Sequence, residues 1–133
     1  MSSYFFIESK HNGLVLDIKG GTKGANIITW AKNGGPNQLW AWREDMLISK
    51  AGYVLDIKDG CRDAGTNAIA WNQHGGANQR WKMEGDQIIS KLTGLALDIK
   101  DQQHDAGVDV ILWERHGSSN QAWKIVHTSP VSI

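Results

Sequence analysis

Three copies of one pattern fill this chain, and that repetition constrains its fold more than any other feature. Residues 13–18 read G-L-V-L-D-I, 52–57 read G-Y-V-L-D-I and 94–99 read G-L-A-L-D-I, each followed by a lysine: Lys19, Lys58 and Lys100. Each copy then reaches a tryptophan (Trp30, Trp71, Trp113) and closes on N-Q-L-W at 37–40, N-Q-R-W at 78–81 or N-Q-A-W at 120–123. A further short segment, opening on isoleucine and ending in lysine, precedes each opening glycine, at 7–10, 48–50 and 89–91. The aspartates are spaced by 39 and 42 residues and the closing tryptophans by 41 and 42. Units of approximately 4–46, 47–87 and 88–133 leave no room for a linker, so residues 1–133 are expected to form a single domain.

Within a unit the periodicity is two. Leu14, Leu16 and Ile18 alternate with Val15, Asp17 and Lys19, and the other copies repeat this, which predicts a half-buried strand. The segments ending at Trp30, Trp71 and Trp113 are apolar on both faces, so alternation does not orient them. No segment carries a helical stripe. Glycine is unusually frequent, at 15 residues, and proline rare, at 2, which suits many tight turns between short strands. Each unit therefore offers about four short strands. Propellers typically need at least four such blades. Three units must instead close about a threefold axis to bury their apolar faces and remove free edges. An all-β architecture with pseudo-threefold symmetry follows.

Composition narrows the function. Lys plus Arg and Asp plus Glu each number 14, and the lysines are scattered singly, which argues against nucleic acid or an anionic membrane as partner. No apolar run approaches the length of a membrane-spanning helix. One cysteine, Cys61, excludes an internal disulfide framework, and its turn D-G-C-R-D suggests a merely exposed thiol. The opening residues show no signal-peptide pattern, so a cytoplasmic or non-classically secreted location is the expectation.

The three in-register Gln-x-Trp motifs, each preceded by an L-D-I strand, resemble the ricin-type (R-type) β-trefoil lectins over residues 4–126. The sequence is similar to the small, disulfide-free, stand-alone members. The resemblance implies a β-trefoil of twelve strands, six in a barrel and six in three capping hairpins, with Trp40, Trp81 and Trp123 in or near the core. It also implies one galactose-type sugar per repeat. In that family the aspartate accepts sugar hydroxyls, which maps to Asp17, Asp56 and Asp98. An aromatic stacks on the sugar ring, which maps to Trp30, Trp71 and Trp113. The motif asparagine donates to a hydroxyl, which maps to Asn37, Asn78 and Asn120, while Gln38, Gln79 and Gln121 support the pocket or the fold. The implied partners are galactose-containing glycans of glycoproteins or glycolipids. A homodimer carrying six sites is an option, and no cofactor or metal is implied.

The residue types suit that chemistry. A carboxylate accepts two hydroxyl hydrogen bonds at once, and its charge strengthens them. The C–H-rich face of galactose lies flat on an indole. Two departures stand out. Some family members carry a polar residue two before the stacking aromatic, where this chain has Ile28, Ile69 and Ile111. Three residues after each tryptophan come Asn33, His74 and His116, placed to supply the polar contact at the pocket mouth.

Each assignment has a plainer alternative. The aspartates could pair with Lys19, Lys58 and Lys100, and the three tryptophans could fill the core. The histidines lack a metal-binding motif. Catalysis has little support, since Glu8, Glu44, Glu84 and Glu114 do not recur at equivalent positions and no nucleophile arrangement can be argued. The rival to a lectin is a trefoil interaction module, such as a protease inhibitor or an actin-associated protein, which need not keep an Asp, Trp and Asn in every repeat.

Overall fold

A computed structural model describes residues 4–128. They form twelve short strands: β1 (Phe5–Ser9), β2 (Val15–Ile18), β3 (Ile27–Trp30), β4 (Trp40–Arg43), β5 (Met46–Ser49), β6 (Val54–Ile57), β7 (Ala68–Trp71), β8 (Trp81–Glu84), β9 (Gln87–Ser90), β10 (Ala96–Ile99), β11 (Val110–Trp113) and β12 (Trp123–His127). Single turns of 3₁₀ helix are the only helical pieces among the described residues.

Six strands close a ring. Antiparallel ladders join β12 to β1, β4 to β5 and β8 to β9. Between these pairs the links are short. Phe5 bridges Trp40, and the carbonyls of Asp45 and Asp86 accept the backbone N–H of Trp81 and Trp123, both at 2.8 Å. The remaining strands form three hairpins, β2–β3, β6–β7 and β10–β11, in which Asp17, Asp56 and Asp98 sit opposite Ile28, Ile69 and Ile111. The hairpins tie to one another in a cycle. Gly24 N donates to Ala70 O (2.7 Å), Gly65 N to Leu112 O (2.7 Å) and Gly107 N to Thr29 O (2.8 Å). Each repeat thus leans on the next, and the third returns to the first. This is the β-trefoil that the repeats imply.

The core repeats in threes as well. Trp40, Trp81 and Trp123 are at most 1% exposed, and their indole N–H groups donate to the carbonyls of Leu16, Leu55 and Leu97 at 3.0–3.2 Å. Those bonds let a large ring be buried without an orphaned donor. In one respect the alternation misleads. It predicts half-buried strands, yet all four residues of β2, β6 and β10 are buried. Leu16 and Ile18 face the core. The other face is covered where the side chains of Asn37 and Gln38 fold over Asp17. A carboxylate there reads as solvent-facing in a pattern that counts polarity alone.

Candidate functional site

The Gln-x-Trp glutamine organises each site from below. Gln38 lies in the 3₁₀ turn Pro36–Gln38 and is fully buried. Its Nε2 donates to Asp17 Oδ2 (2.8 Å) and Ala31 O (2.9 Å), while its Oε1 accepts the backbone N–H of Asn33 (2.8 Å) and Gly34 (3.3 Å). One amide therefore fixes both the carboxylate and the loop beside it. Gln79 does the same for Asp56, Asn72 O, His74 N and Gly75 N. Gln121 holds Asp98, Glu114 O and His116 N, and its Oε1 also accepts from Gln87 of β9. The three glutamines are 0% exposed, so they position the site without reaching its surface.

The motif asparagine holds the other carboxylate oxygen. Asn37 Nδ2 donates to Asp17 Oδ1 (3.1 Å), Asn78 to Asp56 Oδ1 (2.8 Å) and Asn120 to Asp98 Oδ1 (3.1 Å). Each aspartate thus carries one donor per oxygen and keeps lone pairs to spare. The aspartates are 2–4% exposed. Burial pushes all three carboxyls above the ordinary aspartate range, outweighing the bonds from glutamine and asparagine that pull the other way. The pairing with Lys19, Lys58 and Lys100 that the two-residue spacing permits does not form; the amides take those positions.

Two of the three asparagines, Asn37 and Asn120, differ from expectation. Asn37 also donates to Ile18 O and Asn120 to Ile99 O, so their N–H groups are committed inward. Those two amides keep no N–H for a ligand, where the resemblance expects a donor. Asn120 Oδ1 is buried and has no hydrogen-bond partner among the described residues, although Asn120 lines the third pocket.

Asn33, His74 and His116 play one structural role. Asn33 Oδ1 accepts Gly35 N (2.8 Å), His74 Nδ1 accepts Gly76 N (2.9 Å) and His116 Nδ1 accepts Ser118 N (3.1 Å). A neutral imidazole that accepts at Nδ1 carries its proton on Nε2. That nitrogen lies 3.9 Å from Asp56 Oδ2 in the second site and 3.6 Å from Asp98 Oδ2 in the third. The second and third sites therefore carry an imidazole N–H beside the aspartate, where the first has the side-chain amide of Asn33. The isoleucines at 28, 69 and 111 form an apolar wall.

Trp30, Trp71 and Trp113 are 44%, 38% and 44% exposed, and no other large hydrophobic residue described is exposed. Each ring abuts a glycine of a different repeat. A methyl group on Gly107, Gly24 or Gly65 would sit 3.4–3.6 Å from a ring carbon of Trp30, Trp71 or Trp113, and all three glycines have φ between +82° and +93°. Sequence reasoning missed these supports, because the spacing of the repeats says nothing of which glycine meets which tryptophan. The resulting open pockets, of about 450, 390 and 300 Å³ for the first, second and third repeats, each set the aspartate beside the indole. An acceptor-rich wall next to a flat apolar plate suits a small polyol with one C–H face.

Comparison with known proteins agrees. The model of the ricin-type β-trefoil lectin domain matches residues 3–123, and the chain belongs to that family. Comparison with curated proteins gives no match. Among solved structures, the chain is similar to ThreeFoil, a designed threefold-symmetric protein, at 28% identity and a TM-score of 0.86, covering 94% of this chain and 99% of that one. It is similar at 28% identity and a TM-score of 0.79 to the C-terminal half of an earthworm R-type lectin solved with GalNAc, covering 96% and 100%. It also resembles part of an exo-β-1,3-galactanase from Clostridium thermocellum, at 28% identity and a TM-score of 0.85, covering 96% of this chain and 31% of that one. The protein is a carbohydrate-binding β-trefoil.

Proposed function

We propose that this chain, as one domain of three repeats, is a galactose-class lectin that binds glycans multivalently and agglutinates particles displaying them. The observation that carries the reading is the same in each repeat: a buried, amide-held carboxylate beside an exposed indole. The carboxylate accepts the axial and equatorial hydroxyls on neighbouring carbons of galactose, and the opposite C–H face lies on the ring. The earthworm lectin half crystallised with GalNAc supports this choice of sugar. The reading is of binding without catalysis. Glycoside cleavage generally sets carboxyl groups on both sides of the scissile bond, and here one face of the sugar is taken by the indole.

A monosaccharide in an open pocket offers few contacts, so each site binds weakly, on the order of millimolar to tens of micromolar. Three tethered sites raise avidity on a surface by roughly 10²–10⁴. The test is calorimetric titration of lactose into Asp17→Ala, Asp56→Ala and Asp98→Ala, with inhibition of agglutination by free galactose alongside. Each variant should lose one site. Asp56→Ala and Asp98→Ala should weaken total binding more than Asp17→Ala, because the first pocket has no rim imidazole. Equal losses would reject the ranking, and unchanged stoichiometry in all three would reject the aspartate assignment.

A further inference from the structure

The three pockets share their aspartate, tryptophan and asparagine but differ in the wall that follows the aspartate. In the first repeat this wall is the 3₁₀ turn Lys19–Gly21, in the second Lys58–Gly60 and in the third Lys100–Gln102. The middle residue of each turn has left-handed backbone: Gly20 (φ 68°), Asp59 (φ 56°) and Asp101 (φ 57°). Glycine is the residue such backbone favours, and the first repeat uses it. The other two keep a carboxylate there despite the conformational cost, a pattern that points toward function.

Three further observations give those carboxylates a direction. Asp59 lines the second pocket with Asp56, and Asp101 lines the third with Asp98, whereas the first pocket has Lys19 and Gly20 in that wall. Neither Asp59 nor Asp101 has a hydrogen-bond or ion-pair partner among the described residues, and both are exposed. The charge of Asp101 reaches Asp98, adding to the upward push on that carboxyl. One cation breaks the likeness of the second and third pockets. Lys23 Nζ stands 4.7 Å from the ring centroid of Trp71, and the matching residues of the other turns are Ala64 and Ala106.

Resting on the sugar-binding reading above, we propose that Asp59 and Asp101 are specificity-determining residues that make the pockets unequal toward charged sugars. The third pocket, with two carboxylates and no lysine at its tryptophan, excludes acidic sugars and favours neutral or amino sugars. The second does so less strongly because of Lys23. The first, with Gly20 in place of the second acid and Lys19 in its lining, admits sugars carrying a carboxylate or sulfate. The chain thus holds graded charge preferences on one threefold frame, and a mixed glycan surface engages its pockets unevenly.

The experiment uses the whole chain at pH 7 and low salt. The indole N–H signals of Trp30, Trp71 and Trp113, assigned by single Trp→Phe variants, report each pocket separately by NMR. The probes are methyl β-galactoside, the matching methyl galactosiduronate and galactosamine. In the third pocket the uronate should bind about tenfold more weakly than the galactoside, the effect of one extra like charge at short range in a half-screened site. That ratio should be smaller in the second pocket and close to one in the first. Asp101→Asn keeps the shape and tolerates left-handed backbone. It should bring the third-pocket ratio of uronate to galactoside binding near that of the first. Asp101→Gly, which imports the first repeat's own residue, should do the same. Raised salt should shrink the discrimination as well. An unchanged uronate ratio in both variants, or equal discrimination by the first and third pockets, would overturn the proposal. Failure of all three pockets to bind the galactoside in the unaltered chain would instead overturn the sugar-binding reading.

Discussion

Two rings of three tryptophans come from the same repeat and end in opposite surroundings. Trp40, Trp81 and Trp123 are at most 1% exposed, each with its N–H bonded to a backbone carbonyl. Trp30, Trp71 and Trp113 are 38–44% exposed and rest against glycines of neighbouring repeats. The same residue type, tripled the same way, therefore divides by neighbour rather than by hydrophobicity. The buried ring sits where the barrel strands begin, with nothing polar to serve. The exposed ring ends the hairpin strands, next to a carboxylate that burial has already made costly. An apolar plate kept in water beside a charge kept out of it works against stability twice, which supports the binding role proposed for this ring.

The largest break in this comparison should come from the inner ring. Trp81→Ala is expected to lower stability by about 3–5 kcal/mol, the usual cost of emptying a buried indole, which is a large share of a typical domain's total. Trp113→Ala should cost about 1 kcal/mol or less, as at other half-exposed positions. Urea unfolding of the two variants measures the gap, and equal midpoints would erase the distinction.

A smaller loss falls between the rings. Gln79→Ala leaves Asp56 Oδ2, Asn72 O and the N–H groups of His74 and Gly75 without their shared partner. It should cost about 1–3 kcal/mol and disable the second pocket while the first and third still bind. Retained binding at the second pocket would remove the glutamine from the site's support.

Acid should separate binding from stability. The three site aspartates have raised pKa values, burial being the largest cause. Hydroxyl bonding needs the ionised form, so affinity should fall on acidification above the ordinary aspartate range of about 3.9. Their effect on the fold has the opposite sign. A raised folded-state pKa stabilises below the unfolded-chain value, and that contribution is lost as pH rises through the folded-state pKa. Lactose titrations from neutrality down to about that pH test this, and constant affinity throughout would contradict it.

The smallest effect concerns reach across repeats. Gly107 belongs to the third repeat but touches Trp30 of the first, at φ +88°. Gly107→Ala should cost about 1 kcal/mol for left-handed backbone and weaken the first pocket alone. Weakening of the third pocket instead would show that the sites are built within repeats.

Much of this arrangement is legible in the chain. The L-D-I strands, the repeated Trp and the Gln-x-Trp endings lead to the fold and to which residues cluster. What escapes is contact between repeats, because periodicity reports on one strand at a time. Nothing in the local pattern says that Gly24 supports Trp71 or that Gly65 supports Trp113. The polarity of Asn37 and Asn120 is equally hidden, since it depends on which way an amide turns once Asp17 and Asp98 are buried beside it. Burial of Val15 with Asp17 also defeats the alternation, because the cover comes from residues about twenty positions on.

In the function proposed, the outer ring of tryptophans binds sugar and does not hold the fold. The most direct measurement replaces Trp30, Trp71 and Trp113 by alanine together and follows retention on immobilised galactosides alongside the unfolding transition. The expected result is a cooperatively folded β protein that no longer binds. Retained binding, or a chain that fails to fold while each single variant folds normally, would contradict it.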